Sequence, residues 1–126
     1  MDWPIDLHED FALELEACAD SVKVEIMAIA EILKEEGPTL GRPHVDTLKG
    51  SRHSNMKELR CRGDCKTWRV AFAFTPERTA LLLVAGNKSG MKSTRFYRRL
   101  IETADDRLDR FLEEETDKTA TSTESG

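Results

Sequence analysis

Glu58, Arg60, Arg69, Lys88 and Tyr97 are side chains of the kinds that handle phosphate and protons. Arginine is planar, always charged and able to grip two phosphate oxygens at once. A carboxylate can take a proton in a transition state, and a phenol can give one up or stack on a base. All five lie in the most basic part of the chain. Residues 41–100 carry 14 Lys/Arg against 4 Asp/Glu, residues 1–40 carry 2 against 11, and residues 101–126 carry 3 against 9. The formal net charge of −5 therefore hides a basic centre between acidic ends. With His44, His53, Trp68, Phe96 and Tyr97 interleaved in it, that centre points to a polyanionic partner. The same charges also fit a solvated face that balances the acidic flanks.

These residues need elements to position them. At 126 residues, with 39% hydrophobic and 34% charged side chains, the chain fits one modest domain, expected over residues 1–115. Apolar residues at helical spacing, Phe11, Leu15, Cys18 and Val22 and then Ile26, Ile29 and Leu33, predict two helices over residues 6–37 with a break near Asp20-Ser21. Gly37-Pro38 ends them, because Gly accepts the left-handed position after a helix and Pro cannot extend one. Residues 38–55 read as a long loop. From residue 56 the period changes to two, predicting strands over 57–62 and 67–74 joined at Arg62-Gly63-Asp64, then an apolar strand over 79–85. Residues 87–93 form a polar loop, and helical spacing resumes over 95–115 through Phe96, Leu100, Ala104, Leu108, Phe111 and Leu112. From Thr116 to the end, one alanine is the lone apolar side chain, which predicts a disordered tail over 116–126. The fold class is α+β: two N-terminal helices on a small, mostly antiparallel sheet, then a C-terminal helix.

Sidedness brings the candidates together. In the second predicted strand Trp68, Val70, Phe72 and Phe74 share a bulky face, which the helices must cover. The other face carries Thr67, Arg69, Ala71 and Ala73, so Arg69 rises from a shallow floor. In the first strand Glu58, Arg60 and Arg62 share one side, opposite Lys57, Leu59 and Cys61. A register that puts Glu58 and Arg60 beside Arg69 makes a basic cleft holding one carboxylate, and parity alone leaves that register open.

The blocks Leu40-Gly41-Arg42-Pro43, Leu48-Lys49-Gly50-Ser51, Asn55-Met56-Lys57-Glu58-Leu59-Arg60, Trp68-Arg69-Val70-Ala71-Phe72, Gly86-Asn87-Lys88-Ser89-Gly90 and Phe96-Tyr97 stand in this order. This pattern, over residues 3 to about 112, resembles the HigB-like toxins of the RelE/ParE superfamily, the toxin halves of bacterial toxin–antitoxin pairs. The resemblance implies a RelE/ParE-like fold and a metal-independent endoribonuclease that cuts mRNA, often on the ribosome. It also implies an antitoxin partner, expected to be a helix-turn-helix protein. It matches Arg69 to the arginine of the core strand, where it would neutralise transition-state charge, and Arg60 to a phosphate-binding position. Glu58 stands where many relatives have lysine and a subset has glutamate, so it is either the general base or the partner of Arg60. Lys88 and Lys92 flank Gly90 in a loop suited to phosphate, and Tyr97 is an acid, a stacking platform or part of the helix packing face. Lys49, Arg52, His53, Lys57 and Arg62 complete the expected RNA contacts. Relatives on the ParE branch share the fold and instead inhibit DNA gyrase without cutting RNA, a second reading that fold alone does not separate.

No set of side chains has the spacing of a metal site, and no cofactor is expected. Cys18, Cys61 and Cys65 are too few for a secreted disulfide framework and are expected as free thiols, with a cross-turn Cys61–Cys65 bond as the alternative. An acidic start and the lack of a long apolar run predict a cytoplasmic protein with no membrane span.

If the basic centre contacts a phosphate backbone, affinity for single-stranded RNA should fall linearly on a log–log scale with salt, with a slope of roughly 0.7 per phosphate contact. Fluorescence anisotropy on a labelled oligonucleotide measures the slope. A salt-independent affinity would assign the charge to a solvated face.

Overall fold

A computed structural model describes residues 2–61 and 67–125, with side chains described as far as residue 117. In chain order the elements are β1 (Ile5–Leu7), α1 (Glu9–Glu16), α2 (Asp20–Glu36), a short 3-10 turn (Gly37–Thr39), β2 (Val45–Thr47), β3 (Met56–Arg60), β4 (Trp68–Phe74), β5 (Ala80–Asn87) and α3 (Ser93–Ser125). The strands form one sheet in the order β1-β5-β4-β3-β2. β1 runs parallel to β5, and the other three pairings are antiparallel.

The two predicted N-terminal helices are present, and their apolar stripe is buried at Phe11, Leu15, Ile26, Ile29, Ala30 and Leu33. The start differs from the prediction. Residues 5–7 form a strand, not the first turn of a helix, because Ile5 and Leu7 pair along β5 opposite Ala80 and Leu82. α1 begins only after His8, whose Nδ1 accepts the Asp10 backbone N–H at 3.2 Å and so caps the helix. α2 starts at Asp20 after Ala19, so the expected cap residue is instead the first residue of the helix. The long loop also contains an element too short to show a period: Val45–Thr47 pairs with β3 at the sheet edge.

Both faces of the sheet are covered. α1 and α2 pack on Val45, Leu59, Val70, Phe72, Ala80 and Leu82. α3 packs on the opposite face, where Phe96, Leu100, Ala104 and Leu108 meet Met56, Ala71, Ala73, Leu81 and Leu83. The floor of small residues is therefore not an open cleft along its whole length, as expected from sequence. Ala71 and Ala73 let a helix lie close, and the apolar stripe of α3 takes that space. What stays uncovered is the end of the face beyond the first turns of α3. A bulge shapes β5: Ala71 opposes Val84 and Phe72 opposes Leu82, leaving Leu83 as the extra residue. The Leu83 carbonyl accepts Arg107 Nη1 at 2.8 Å, and the same guanidinium grips the Glu14 carboxylate at 2.7 and 2.6 Å. Arg107 thus ties α3 to both α1 and β5.

α3 continues to Ser125, through the stretch read as a disordered tail from Thr116. Residues 116–125 contain neither Gly nor Pro, and extending an existing helix fixes one residue per hydrogen bond gained. Arg62 and Cys65 fall outside the described residues. Cys61, buried at the end of β3, is disulfide-bonded, against the expectation of a free thiol, while Cys18 is free.

Gly86 sets how closely α3 approaches the sheet. A Cβ there would lie 2.8 Å from Phe96 Cε1, on a ring already packed in the core. Gly86→Ala should cost about 1–3 kcal/mol by overpacking and push the first turn of α3, with Tyr97, off the sheet. Urea unfolding checks it: the midpoint should fall, and an unchanged midpoint would show that the contact has slack.

Candidate active site

The β3–β4 register settles the question that parity left open. Glu58 pairs with Ala71 and Arg60 with Arg69, so Glu58, Arg60 and Arg69 share one face. It is the face that α3 covers, and Tyr97 in the first turns of α3 reaches them. The other three side chains converge on a single atom, Glu58 Oε1. Arg60 Nε donates to it at 2.8 Å, the Tyr97 hydroxyl at 3.2 Å, and Arg69 Nε lies 3.8 Å away. Glu58 is only 3% exposed. Arg69 Nη1 also donates to its neighbour's carbonyl, Trp68 O, at 3.0 Å.

The opening beside this group is a depression of about 360 Å³. Glu58, Arg60, Tyr97 and Lys49 line it, with Arg42, Asp46, Thr47 and Leu48 from the β2 side. Asp46 pairs with Glu58 across the β2–β3 ladder and accepts Arg60 Nη2 at 3.3 Å and Arg42 Nε at 3.1 Å. Lys88 holds its ammonium 5.6 Å from the centre of the Tyr97 ring, a cation–π contact that places a positive charge next to the phenol.

These contacts bias protons. The Tyr97 hydroxyl is held above its ordinary value, first by burial and then by the charge of Glu58. Arg60 is raised, first by its hydrogen bond to Glu58. Asp46 is lowered, first by the Thr47 backbone N–H and, against the cost of burial, by Arg42. At neutral pH the Tyr97 phenol is thus held protonated.

Of the expected catalytic residues, Glu58, Arg60, Arg69 and Tyr97 are together, with Lys88 beside Tyr97. The expected RNA contacts separate. Lys49 lines the depression. Lys92 is exposed just before α3. Lys57 belongs to the opposite face, with Leu59 and Phe72, since it alternates with Glu58. Arg52 and His53 face α3 instead: Arg52 forms ion pairs with Asp105, Asp106 and Asp109, and His53 Nε2 lies 2.7 Å from Asp109 Oδ1. The Arg52 backbone N–H donates to the buried Asp105 at 3.0 Å, and the Ser51 hydroxyl donates to it as well. The acidic face of α3, read from sequence only as charge, is what draws those two cations away. Asp46 and Arg42 went unassigned in the sequence reading. Their signal was the spacing of four that lets Arg42 reach Asp46, lost in a segment that read as loop. Among the described residues no cluster of His, Cys, Asp and Glu could hold a metal ion, and no helix is long and apolar enough to cross a membrane.

The family model for phage-derived Gp49-like proteins matches residues 13–109. The chain belongs to the Gp49-like family. Within it the chain is HigB-like, with a RelE-like fold. It is 42% identical over 105 residues to a Mycobacterium tuberculosis protein named "Putative toxin HigB3", covering 83% of this chain and 85% of that one. It is 50% identical over 82 residues to "Putative toxin HigB2" of the same organism, covering 64% of this chain, which spans 40% of that relative's length. Its fold is similar to that of a double arginine mutant of the Escherichia coli toxin RelE in the free state. The TM-score is 0.57 at 13% identity, covering 81% of this chain and 97% of RelE.

Tyr97 is the chain's single tyrosine, so tyrosinate absorbance reports on this site alone. Wild-type protein should ionise above the ordinary value of 10.0. Glu58→Gln removes the carboxylate charge that disfavours phenolate, so the midpoint should move down while burial still holds it up. A midpoint that does not move would mean that the phenol does not feel Glu58.

Proposed function

We propose that this HigB-like protein is the toxin of a type II toxin–antitoxin pair and acts in the cytoplasm as an mRNA endoribonuclease on translating ribosomes. The observation that carries the reading is the convergence of Arg60, Arg69 and Tyr97 on one oxygen of the buried Glu58. Its membership of the HigB-like family supports the toxin assignment.

In the resting site the Glu58 carboxylate occupies the place a phosphate would take between two guanidinium groups. An RNA phosphate arriving there competes for the same donors, being the better match for the planar forks. Arg69 and Arg60 then hold the non-bridging oxygens, and Glu58 is released to accept the proton of the ribose 2′-hydroxyl. The 2′-oxygen forms a bond to phosphorus, and the bond from phosphorus to the 5′-oxygen breaks. The leaving 5′-oxygen takes its proton from Tyr97, which is kept protonated by its surroundings and lies under Lys88. The products are a 2′,3′-cyclic phosphate and a 5′-hydroxyl. All charge stabilisation in this scheme comes from arginine and lysine, so cleavage should persist in EDTA. Lys49 and Lys92 would track the flanking backbone. The partner expected to silence the toxin is an antitoxin of the helix-turn-helix class, and the basic centre suits an acidic segment of it.

Arg69→Ala should lower single-turnover cleavage of ribosome-bound mRNA by about 10²–10³, the usual cost of one pre-organised charge. Glu58→Gln should lower it by roughly 10²–10⁴, the usual worth of a general base. Circular dichroism should show both variants folded. A folded Arg69→Ala protein that cuts at the wild-type rate would move the active site elsewhere. Wild-type protein that blocks gyrase and cuts no RNA would establish the ParE-like reading.

A further inference from the structure

The carboxylate of Asp46 contributes to the site in a way the proposed chemistry does not use. It stands on β2 directly across the ladder from Glu58, on the same face. Its two oxygens have separate tasks. Oδ1 accepts the Thr47 backbone N–H at 2.9 Å, which fixes the carboxylate against its own strand. Oδ2 accepts Arg60 Nη2 at 3.3 Å and Arg42 at 3.1 Å from Nε and 3.0 Å from Nη2. Arg60 therefore spans two carboxylates, with Nε on Glu58 at 2.8 Å and Nη2 on Asp46. A guanidinium has five N–H donors, so fixing Nε and Nη2 along one side sets the plane and leaves further donors for a ligand. Arg42 and Arg60 meet at one oxygen, where two positive charges would otherwise repel.

We propose that Asp46 is a positioning residue that holds Arg60, with Arg42 beside it, as a paired clamp for the RNA backbone phosphate next to the one that is cut. The proposal rests on the ribonuclease reading. Arg60 is half-exposed beside the depression and Arg42 stands at its rim, so a phosphate can reach both from solvent. Arg60 has no other fixed anchor on the β2 side among the described residues. With Glu58 alone, it is a long flexible side chain on one hydrogen bond, and its plane is free to turn about that contact.

The direction of the effect separates this role from a plain surface charge. Removing a carboxylate from a cleft that binds a polyanion should tighten RNA binding if charge is all that matters. If Asp46 positions Arg60, its loss should weaken the site instead. Asp46→Asn is the variant of choice, because the amide oxygen can still accept the Thr47 N–H while the charge that gathers the arginines is gone. It should raise KM for a ribosome-bound mRNA and lower kcat/KM roughly 10- to 100-fold, the scale of loss from a misplaced binding group. Asp46→Glu should recover part of that loss. In an Arg60→Ala background, Asp46→Asn should add little, because the group it positions is already absent.

The second arm does not depend on RNA. In 15N-labelled protein, the Arg60 Nε–H signal should be sharp in the wild type and broadened in Asp46→Asn as the guanidinium loses its second anchor. Wild-type protein that cuts no RNA would refute the ribonuclease reading, and the Arg60 signal would still decide whether Asp46 holds Arg60. Tighter RNA binding with unchanged cleavage by Asp46→Asn, or an Arg60 signal identical in both proteins, would overturn the proposal.

Discussion

Glu58 is a carboxylate with 3% of its surface exposed, on β3, an interior strand of a sheet covered on both sides. A charge in such a place costs several kcal/mol unless partners replace its water. Arg60, Tyr97 and Arg69 are those partners, and each depends on a different part of the chain. Arg60 needs the two-residue period of β3, Arg69 needs the β3–β4 register, and Tyr97 needs α3 to start where it does. The three main elements of the domain thus meet at one oxygen atom. Guanidinium groups that hold a carboxylate have the donors that the proposed phosphodiester substrate needs.

The rest of the fold keeps that meeting point in place while leaving one end of it open. α1 and α2 fill one face with large apolar side chains, and α3 uses the small residues Ala71, Ala73 and Gly86 to come close on the other. Arg107 joins α3 to α1 and to the bulged carbonyl of Leu83. Asp105 and Asp109 fasten the segment around Arg52 and His53 to the same helix. α3 is thereby fixed from two sides. The turns that carry Phe96 and Tyr97 gain a rigidity that a free helix end would lack, which is what the role proposed for Tyr97 requires.

Much of this was legible in the sequence, and the particular failures share a cause. The stripes of α2 and α3 and the alternation in β3 and β4 showed because each spans enough residues to reveal a period. So did the placing of Glu58 and Arg60 on one side of β3, whereas their position beside Arg69 depends on a register that parity leaves open. β1 and β2 are three residues each, too short for a period, and exist because a neighbouring strand offers them a ladder. Losing β2 to a loop also hid Asp46. Arg52, His53 and Lys57 were grouped with the site by charge and proximity in sequence. Alternation sends Lys57 to the other face, and the carboxylates of α3 claim the other two, a tertiary pairing that no local pattern announces. The placement of α3 over the small-residue face follows the same logic in reverse. Small side chains were read as an open floor, where they are a seat for a helix.

The central claim is that Glu58, Arg60, Arg69 and Tyr97 carry out an attack by the ribose 2′-hydroxyl. The chemistry of the cut ends tests it most directly. Wild-type protein is incubated with ribosomes and a defined mRNA, and the fragments are analysed by mass spectrometry. The account predicts a 2′,3′-cyclic phosphate, or the 3′-phosphate it hydrolyses to, upstream of the cut and a 5′-hydroxyl downstream. Fragments ending in a 3′-hydroxyl and a 5′-phosphate would mean that water, not the ribose, attacked the phosphorus, and would contradict it.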